Sequence, residues 1–452
     1  MLITIAGFAF SVGLLIYLTV RWQWPSFLAL LIASYTAGLS FGLSPNQITS
    51  AVMDGFGVTL GEIGLTIALG TLLGYILEYC GATISIARGI IVFFGDRFPG
   101  LALAITGYIV SIPIYCDSGF IILNSIRRYL AKTHHVSPVF LSTVLGSALY
   151  ATHTLVLPTP GPLIAAINFQ LTGYLPIVLM LGLVLSLLAA VAGFVWALCV
   201  RNLVPAKLDS QNAEEPLVNE SADIHFLIAI TPILTPMLLI SVGGIVGHGE
   251  NMVSQWFGFL GQPVNALLAG LATTLPLLKY GSAEKLQMCI SKGLEAGGKI
   301  VLIVGCGGAF GYVLQSSNLT ELFTRNSGFV NLGLFLPFVM AAIVKTAEGS
   351  TTVALITASV LVSPLLSALG LDTTTGRLLA LFACSGGAMT IAHVNDSYFW
   401  IITEFTGMDT ATALKSLTIA TFFQGIVVLL TVLLLAFFLD VIALQTIPFL
   451  LG

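Results

Sequence analysis

Apolar windows of about 20 residues recur along the whole chain, each long enough to cross a bilayer as a helix. Polar positions fall mostly in breaks between them, the one substantial polar segment being 201–223. Residues 2–20 and 25–42 flank Arg21, and residues 57–78 follow. Later, 224–246 and 256–278 read as an outward and a returning span, and 416–438 closes the series. The alternating strands of a membrane β-barrel are absent. The pattern predicts an all-α polytopic membrane protein with about 10 full spans and two shorter hairpins.

Residues 98–130 do not fit that series. They begin and end near basic residues, which favour the cytoplasmic side, yet about 33 residues are too few for two full helices and a turn. Their middle reads SIPIYCDSGF, with Pro113 and Gly119 around Asp117. A re-entrant hairpin turning at CDSG fits, because broken backbone at membrane depth needs protein or a watery cavity to satisfy it. KTAEGSTT (345–352) reads as the tip of a second hairpin, over about 329–368. Two further helices look interrupted. Over about 138–170, ATHTLVLPTPGP places Pro158, Pro160 and Pro162 within five residues, and proline removes backbone donors. Over about 377–400 the polar cluster HVNDS interrupts an apolar run.

These features repeat. Gly74-Tyr75 matches Gly311-Tyr312 at an offset of 237, Asp117 matches Glu348 at 231, and His153 matches His393 at 240. With Lys and Arg kept cytoplasmic, the first copy begins with an inward span and the second with an outward one, so the repeats are inverted. Residues 1–200 then form a first half, 201–223 a cytoplasmic linker and 224–452 a second half, with both termini periplasmic. Inverted repeats with paired discontinuities meeting near the midplane are the signature of secondary transporters.

Composition sharpens this reading. Only 8% of residues are Asp, Glu, Lys or Arg, against roughly 25% in soluble domains, and the mean hydropathy is +1.02. A net charge of −4 offers nothing to nucleic acid. The six cysteines are scattered, mostly in apolar segments, and form no CxxC; they read as buried hydrophobes, with no metal or cofactor expected. The opening MLITIAGFAFSVGLLIYLTV lacks a basic n-region and a cleavage site and reads as an uncleaved span.

Four polar features converge in this scheme: CDSG, KTAEGSTT, His153 with PTPGP, and HVNDS. Helix breaks expose N–H groups that suit an anion. Asp117, Ser118, Gly119, Thr154, Thr159, Gly349, Ser350, Thr351, Thr352, Asn395, Asp396 and Ser397 are the candidate substrate-binding residues, their hydroxyls and amides suited to a polyhydroxylated body. Proton transfer needs a titratable group, and Glu348, Asp117, Asp396, His153 and His393 all qualify. Lys345 either pairs with Glu348 or receives the substrate's charge. Competing structural readings stand beside these. Asp117 and Asp396 also suit helix caps, and the histidines suit backbone hydrogen bonds. Glu62 and Glu78 suit the membrane interface, and Tyr398, Phe399 and Trp400 an aromatic belt. No HExxH is present, and the polar residues are duplicated across the two repeats, which gives catalysis no advantage, so the chain does not read as an enzyme.

At IPIYCDSGFIIL, ATHTLVLPTPGP, EGSTTVALITAS and SGGAMTIAHVNDSYFW, the chain resembles the gluconate permease family, which includes idonate and D-serine permeases. The resemblance spans essentially the whole chain. It implies proton symport of gluconate or a related sugar acid across a bacterial inner membrane, and a homodimer with scaffold and moving transport domains. A sodium- or proton-coupled carrier of another small anion or amino acid, such as a dicarboxylate or D-serine, would share the fold. Where the family's second tip usually reads AQGS, this chain reads AEGS, which places Glu348 beside Lys345. Leu157 and EYCGA (78–82) are further departures.

Overall fold

The computed structural model describes residues 2–22, 24–94, 98–202, 224–247, 251–280, 283–316, 333–394 and 396–450. All but the first two residues of the expected linker 201–223 lie outside them, as does Asn395. The described residues form helices and no strand.

Helices α1 (Leu2–Arg21) and α2 (Ser26–Ser40) pack together. Helix α3 (Pro45–Tyr79) starts at a capping box, in which Ser44 and Gln47 satisfy each other's orphan backbone donors. It bends by 48° between Gly61 and Gly64. Next come α4 (Ala82–Phe94), α5 (Pro99–Val110), α6 (Cys116–Thr133), α7 (Pro138–Leu155), α8 (Pro160–Asn168) and α9 (Leu175–Val200). Helix α10 (Phe226–Val246) follows the linker. Residues 256–278 do not form the single returning span expected. They fall into α11 (Met252–Leu260), α12 (Pro263–Ala272) and a 3-10 turn at Leu275–Tyr280. Pro263 and Pro276 explain this, since each lacks the N–H that a continuing helix would use.

The second half continues with α13 (Ala283–Gln315), α14 (Phe335–Glu348), α15 (Thr351–Val362), α16 (Thr374–Met389), α17 (Ser397–Thr406) and α18 (Ile419–Leu450). Among the described residues, five helical spans are long and apolar enough to cross a membrane, or six with the bent α3. Several others, including α5, α12 and α15, are apolar but short.

Two features position the site. The long helices α3 and α13 run antiparallel in close contact, because glycine lets their backbones approach. A Cβ on Gly55 would lie 2.6 Å from the Gly308 carbonyl, and one on Gly297 would lie 2.6 Å from Thr71 Oγ1. Beside this pair, α7 is buried on every face from Val139 to Leu155, and α16 is buried almost throughout. A helix apolar all round belongs in the interior. Both interior helices stop abruptly. α7 ends at Val156, before Pro158 and Pro160, and α16 ends at Thr390. α14 also stops short, at Gly349, whose φ of 75° is a left-handed cap that L side chains strain to adopt.

Candidate functional site

The broken ends surround a cavity of about 210 Å³ lined by residues from both halves of the chain. Tyr115, Cys116 and Asp117 come from the start of α6, Tyr150 and His153 from α7, and Ile300 and Ile303 from α13. Ser350, Thr351, Thr352 and Val353 come from the start of α15, and Asp396, Ser397 and Tyr398 from the start of α17.

Three helix N-termini therefore meet at one small space. Each carries roughly half a positive charge from its aligned peptide dipoles. Two are capped by their own side chains. Ser350 accepts from the Val353 amide at 3.4 Å, and Asp396 Oδ1 accepts from the Tyr398 amide at 2.9 Å. The third, α6, has no side-chain cap at Tyr115, which leaves first-turn amides open to a ligand.

A buried ion pair stands behind this wall. Lys345 Nζ donates to Asp396 Oδ2 and, at 3.2 Å, to the Gly349 carbonyl, and its ammonium lies 6.0 Å from the Tyr150 ring centroid. Aromatic and hydroxyl contacts tie the halves together. The Tyr150 hydroxyl meets Thr351 Oγ1 at 2.5 Å, and His153 Nε2 meets Thr352 Oγ1 at 3.2 Å. Tyr150 stacks on Tyr398 at 5.5 Å, and the Tyr398 hydroxyl donates to the Gly146 carbonyl at 2.9 Å.

Of the candidates from sequence, the cavity brings together Asp117, His153, Ser350, Thr351, Thr352, Asp396 and Ser397. Thr159 lines a much smaller adjoining space with Pro158 and Pro160. Thr154 is buried and donates to the Tyr150 carbonyl at 2.7 Å. Gly119 packs on Leu149, and Ser118 faces Glu78 of α3. That contact draws Glu78 toward the α6 tip, although its place in the sequence reads as interfacial. Gly349 contributes its carbonyl to Lys345 rather than a cavity surface. His393 is half-buried in the break after α16 and is not part of the lining. Lys345 pairs with Asp396, not with nearby Glu348. Both Glu348 carboxyl oxygens are buried without a hydrogen-bond partner, away from the lining.

Sequence reasoning missed the aromatic part of the wall. Tyr398 reads as part of an interface belt but is fully buried against Tyr150, whereas Trp400 two residues on is exposed. The available signal was spacing. Tyr150 lies three residues before His153 and so shares its helix face, and Tyr398 follows Asp396 by two.

Helices that break around a shared polar cavity, inside an otherwise apolar bundle, define the class: a multi-pass membrane transporter. The chain belongs to the GntP family of permeases, whose profile matches residues 2–438. It is 32% identical to an uncharacterized permease of Haemophilus influenzae over 90% of this chain and 86% of that one. It is 30% identical to a gluconate permease of Pseudomonas aeruginosa over 94% and 95%. It is also 29% identical to a low-affinity gluconate transporter of Escherichia coli over 90% and 92%. Among solved structures, the Alcanivorax borkumensis YdaH transporter shares the fold with a TM-score of 0.62 at 12% identity, covering 86% of this chain and 87% of that one.

Proposed function

We propose that this permease imports gluconate or a closely related sugar acid together with protons. The reading rests above all on the cavity. Three helix N-termini, one of them uncapped, face a wall of hydroxyl groups in a chain whose relatives include gluconate permeases. The substrate carboxylate seats at the open N-terminus of α6. Its hydroxyls reach Ser350, Thr351, Thr352, Ser397 and Asp396. Such a site rejects analogues that lack a hydroxyl, because its own buried groups would then go unpaired.

The same proposal places the chain in a bacterial inner membrane as a homodimer, with both termini periplasmic and two inverted repeats. α5 and α6 form one re-entrant hairpin, and α14 and α15 the other. Glu348, His153, His393, Lys345 and Asp117 are the groups from which the coupled proton's carrier is drawn.

The test is uptake of labelled gluconate into sodium-free proteoliposomes with an alkaline interior, with unlabelled idonate and D-serine as competitors. Accumulation that collapses with a protonophore is expected, with idonate competing better than D-serine. Uptake only after sodium is added would remove the proton, and uptake of a different acid alone would remove the sugar acid.

A further inference from the structure

We infer that Asp117 is the carboxyl that takes up the coupled proton, so that the cavity accepts an anion only once that proton is in place. The inference rests on the proposed symport of a sugar acid and adds to it the coupling residue.

The charges of the wall carry the argument. Two carboxylates line the cavity, Asp117 and Asp396, although the ligand is itself an anion. Lys345 is the cation joined to this wall among the described residues, and it is already committed. It is fully buried, pairs with Asp396 and donates to the Gly349 carbonyl. That pair is neutral as a unit, which leaves Asp117 as the uncompensated charge.

Asp117 also sits in the wrong place for an anion to ignore. It occupies the first turn of α6, beside the open amides that suit a carboxylate, and its Oδ1 is buried with no hydrogen-bond partner. A ligand carboxylate bound there lies next to the Asp117 carboxylate, and two carboxylates sharing one buried site cannot both stay ionised. A proton on Asp117 removes the repulsion and makes the carboxyl a donor to the ligand. Anion and proton then bind together and leave together.

The other groups around Asp117 do not take this part. Tyr115 and Cys116 at the start of its own helix, with Tyr150 of α7 and Tyr398 of α17, are phenols and a thiol, which ordinarily stay neutral at physiological pH. Asp396 and Lys345, joined as an ion pair, add no net charge to the wall. His153 shares the cavity, with its Nε2 engaged by Thr352 and its Nδ1 buried without a partner. A neutral imidazole does not repel the ligand, so binding does not require a proton there.

Equilibrium binding of labelled gluconate to the purified protein in nanodiscs, across pH, tests the assignment. Wild-type affinity should fall about tenfold per pH unit on the alkaline limb, the slope of one linked proton. Asp117→Asn should bind gluconate with no such slope. In proteoliposomes it should exchange labelled for unlabelled gluconate without accumulating it under a pH gradient. Asp117→Glu should regain the slope. An Asp117→Asn protein that keeps both slope and accumulation overturns the assignment, as does loss of the slope in His153→Gln alone. Should Asp117→Asn fail to fold, the wild type still decides. On the alkaline limb, adding gluconate in weak buffer with a pH indicator must draw one proton from solution, and no uptake there overturns the assignment. Failure of the wild type to bind gluconate at any pH would instead overturn the substrate reading together with it.

Discussion

The Lys345–Asp396 pair offers the most direct test of how the site is built. Both side chains are almost wholly buried, and each has a second duty: Lys345 holds the Gly349 carbonyl, and Asp396 caps α17. Lys345→Met leaves a carboxylate buried without its cation, and breaking such a pair from one side costs about 3–5 kcal/mol. Asp396→Asn keeps a cap oxygen for the Tyr398 amide but strands the ammonium, at a similar cost. The double variant Lys345→Met/Asp396→Asn strands neither charge, so most of the loss should return. Its coupling energy should then be several kcal/mol, well outside the roughly 0.3–0.5 kcal/mol scatter of independent sites. The assay is reversible unfolding by denaturant titration in detergent micelles, paired with uptake in proteoliposomes. The double variant should fold stably and yet import nothing, because Asp396 also lines the cavity. Additive single effects, with the double variant worse than either, would refute the idea that the two charges are held against one another.

Other parts of the wall respond differently. Tyr150→Phe removes the hydroxyl that meets Thr351 across the two halves; a stability loss of about 1 kcal/mol and a raised KM for uptake are expected, and an unchanged KM would separate this contact from the site. Gly349→Val forces a β-branched residue into a left-handed cap, which should cost at least about 1–2 kcal/mol by denaturant titration, and an unchanged midpoint would refute the strain. Glu348→Gln neutralises a carboxyl whose oxygens have no partner and lie outside the cavity lining. Transport should persist with unfolding stability equal or higher, and loss of initial rate would show that this carboxyl takes part in the cycle.

Much of this arrangement was legible along the chain, and the reasons are local. Prolines and glycines announce helix breaks because they act through their own backbone, so the stops at Pro158 and Gly349 stand out in ATHTLVLPTPGP and KTAEGSTT. Asp396 and Ser397 are conspicuous in HVNDSYFW because a polar cluster in an apolar run needs a shared polar environment. What was not legible depends on partners distant in sequence. Lys345 stands three residues from Glu348 but pairs with Asp396, 51 residues on, because the end of α14 directs its ammonium toward α17. Tyr398 and Trp400 are both aromatic and close in sequence, yet one is buried in the wall and the other exposed. Ile300 and Ile303 are ordinary apolar residues of α13, and only the packing of α13 on α3 and on α15 brings that helix beside the cavity.

The charge count of the cavity carries one further consequence, for what drives transport. Under the proposed symport, with the Lys345–Asp396 pair neutral, one proton on Asp117 and one monovalent anion would cross together with no net charge. A membrane potential then does no work on the cycle, and the pH gradient alone sets the accumulation. A second proton would make each cycle carry one positive charge, worth about 2.3 kcal/mol per 100 mV, or roughly fifty-fold in accumulation at about 1.4 kcal/mol per decade. Glu348 is a buried carboxyl two residues before Ser350 and outside the cavity lining, which makes it the group to test for that second proton. Proteoliposomes clamped with valinomycin and potassium distinguish the cases. At equal pH on both sides, an inside-negative potential should drive no gluconate accumulation. Accumulation of that size under potential alone would show a second proton, and its disappearance in Glu348→Gln would assign that proton to Glu348.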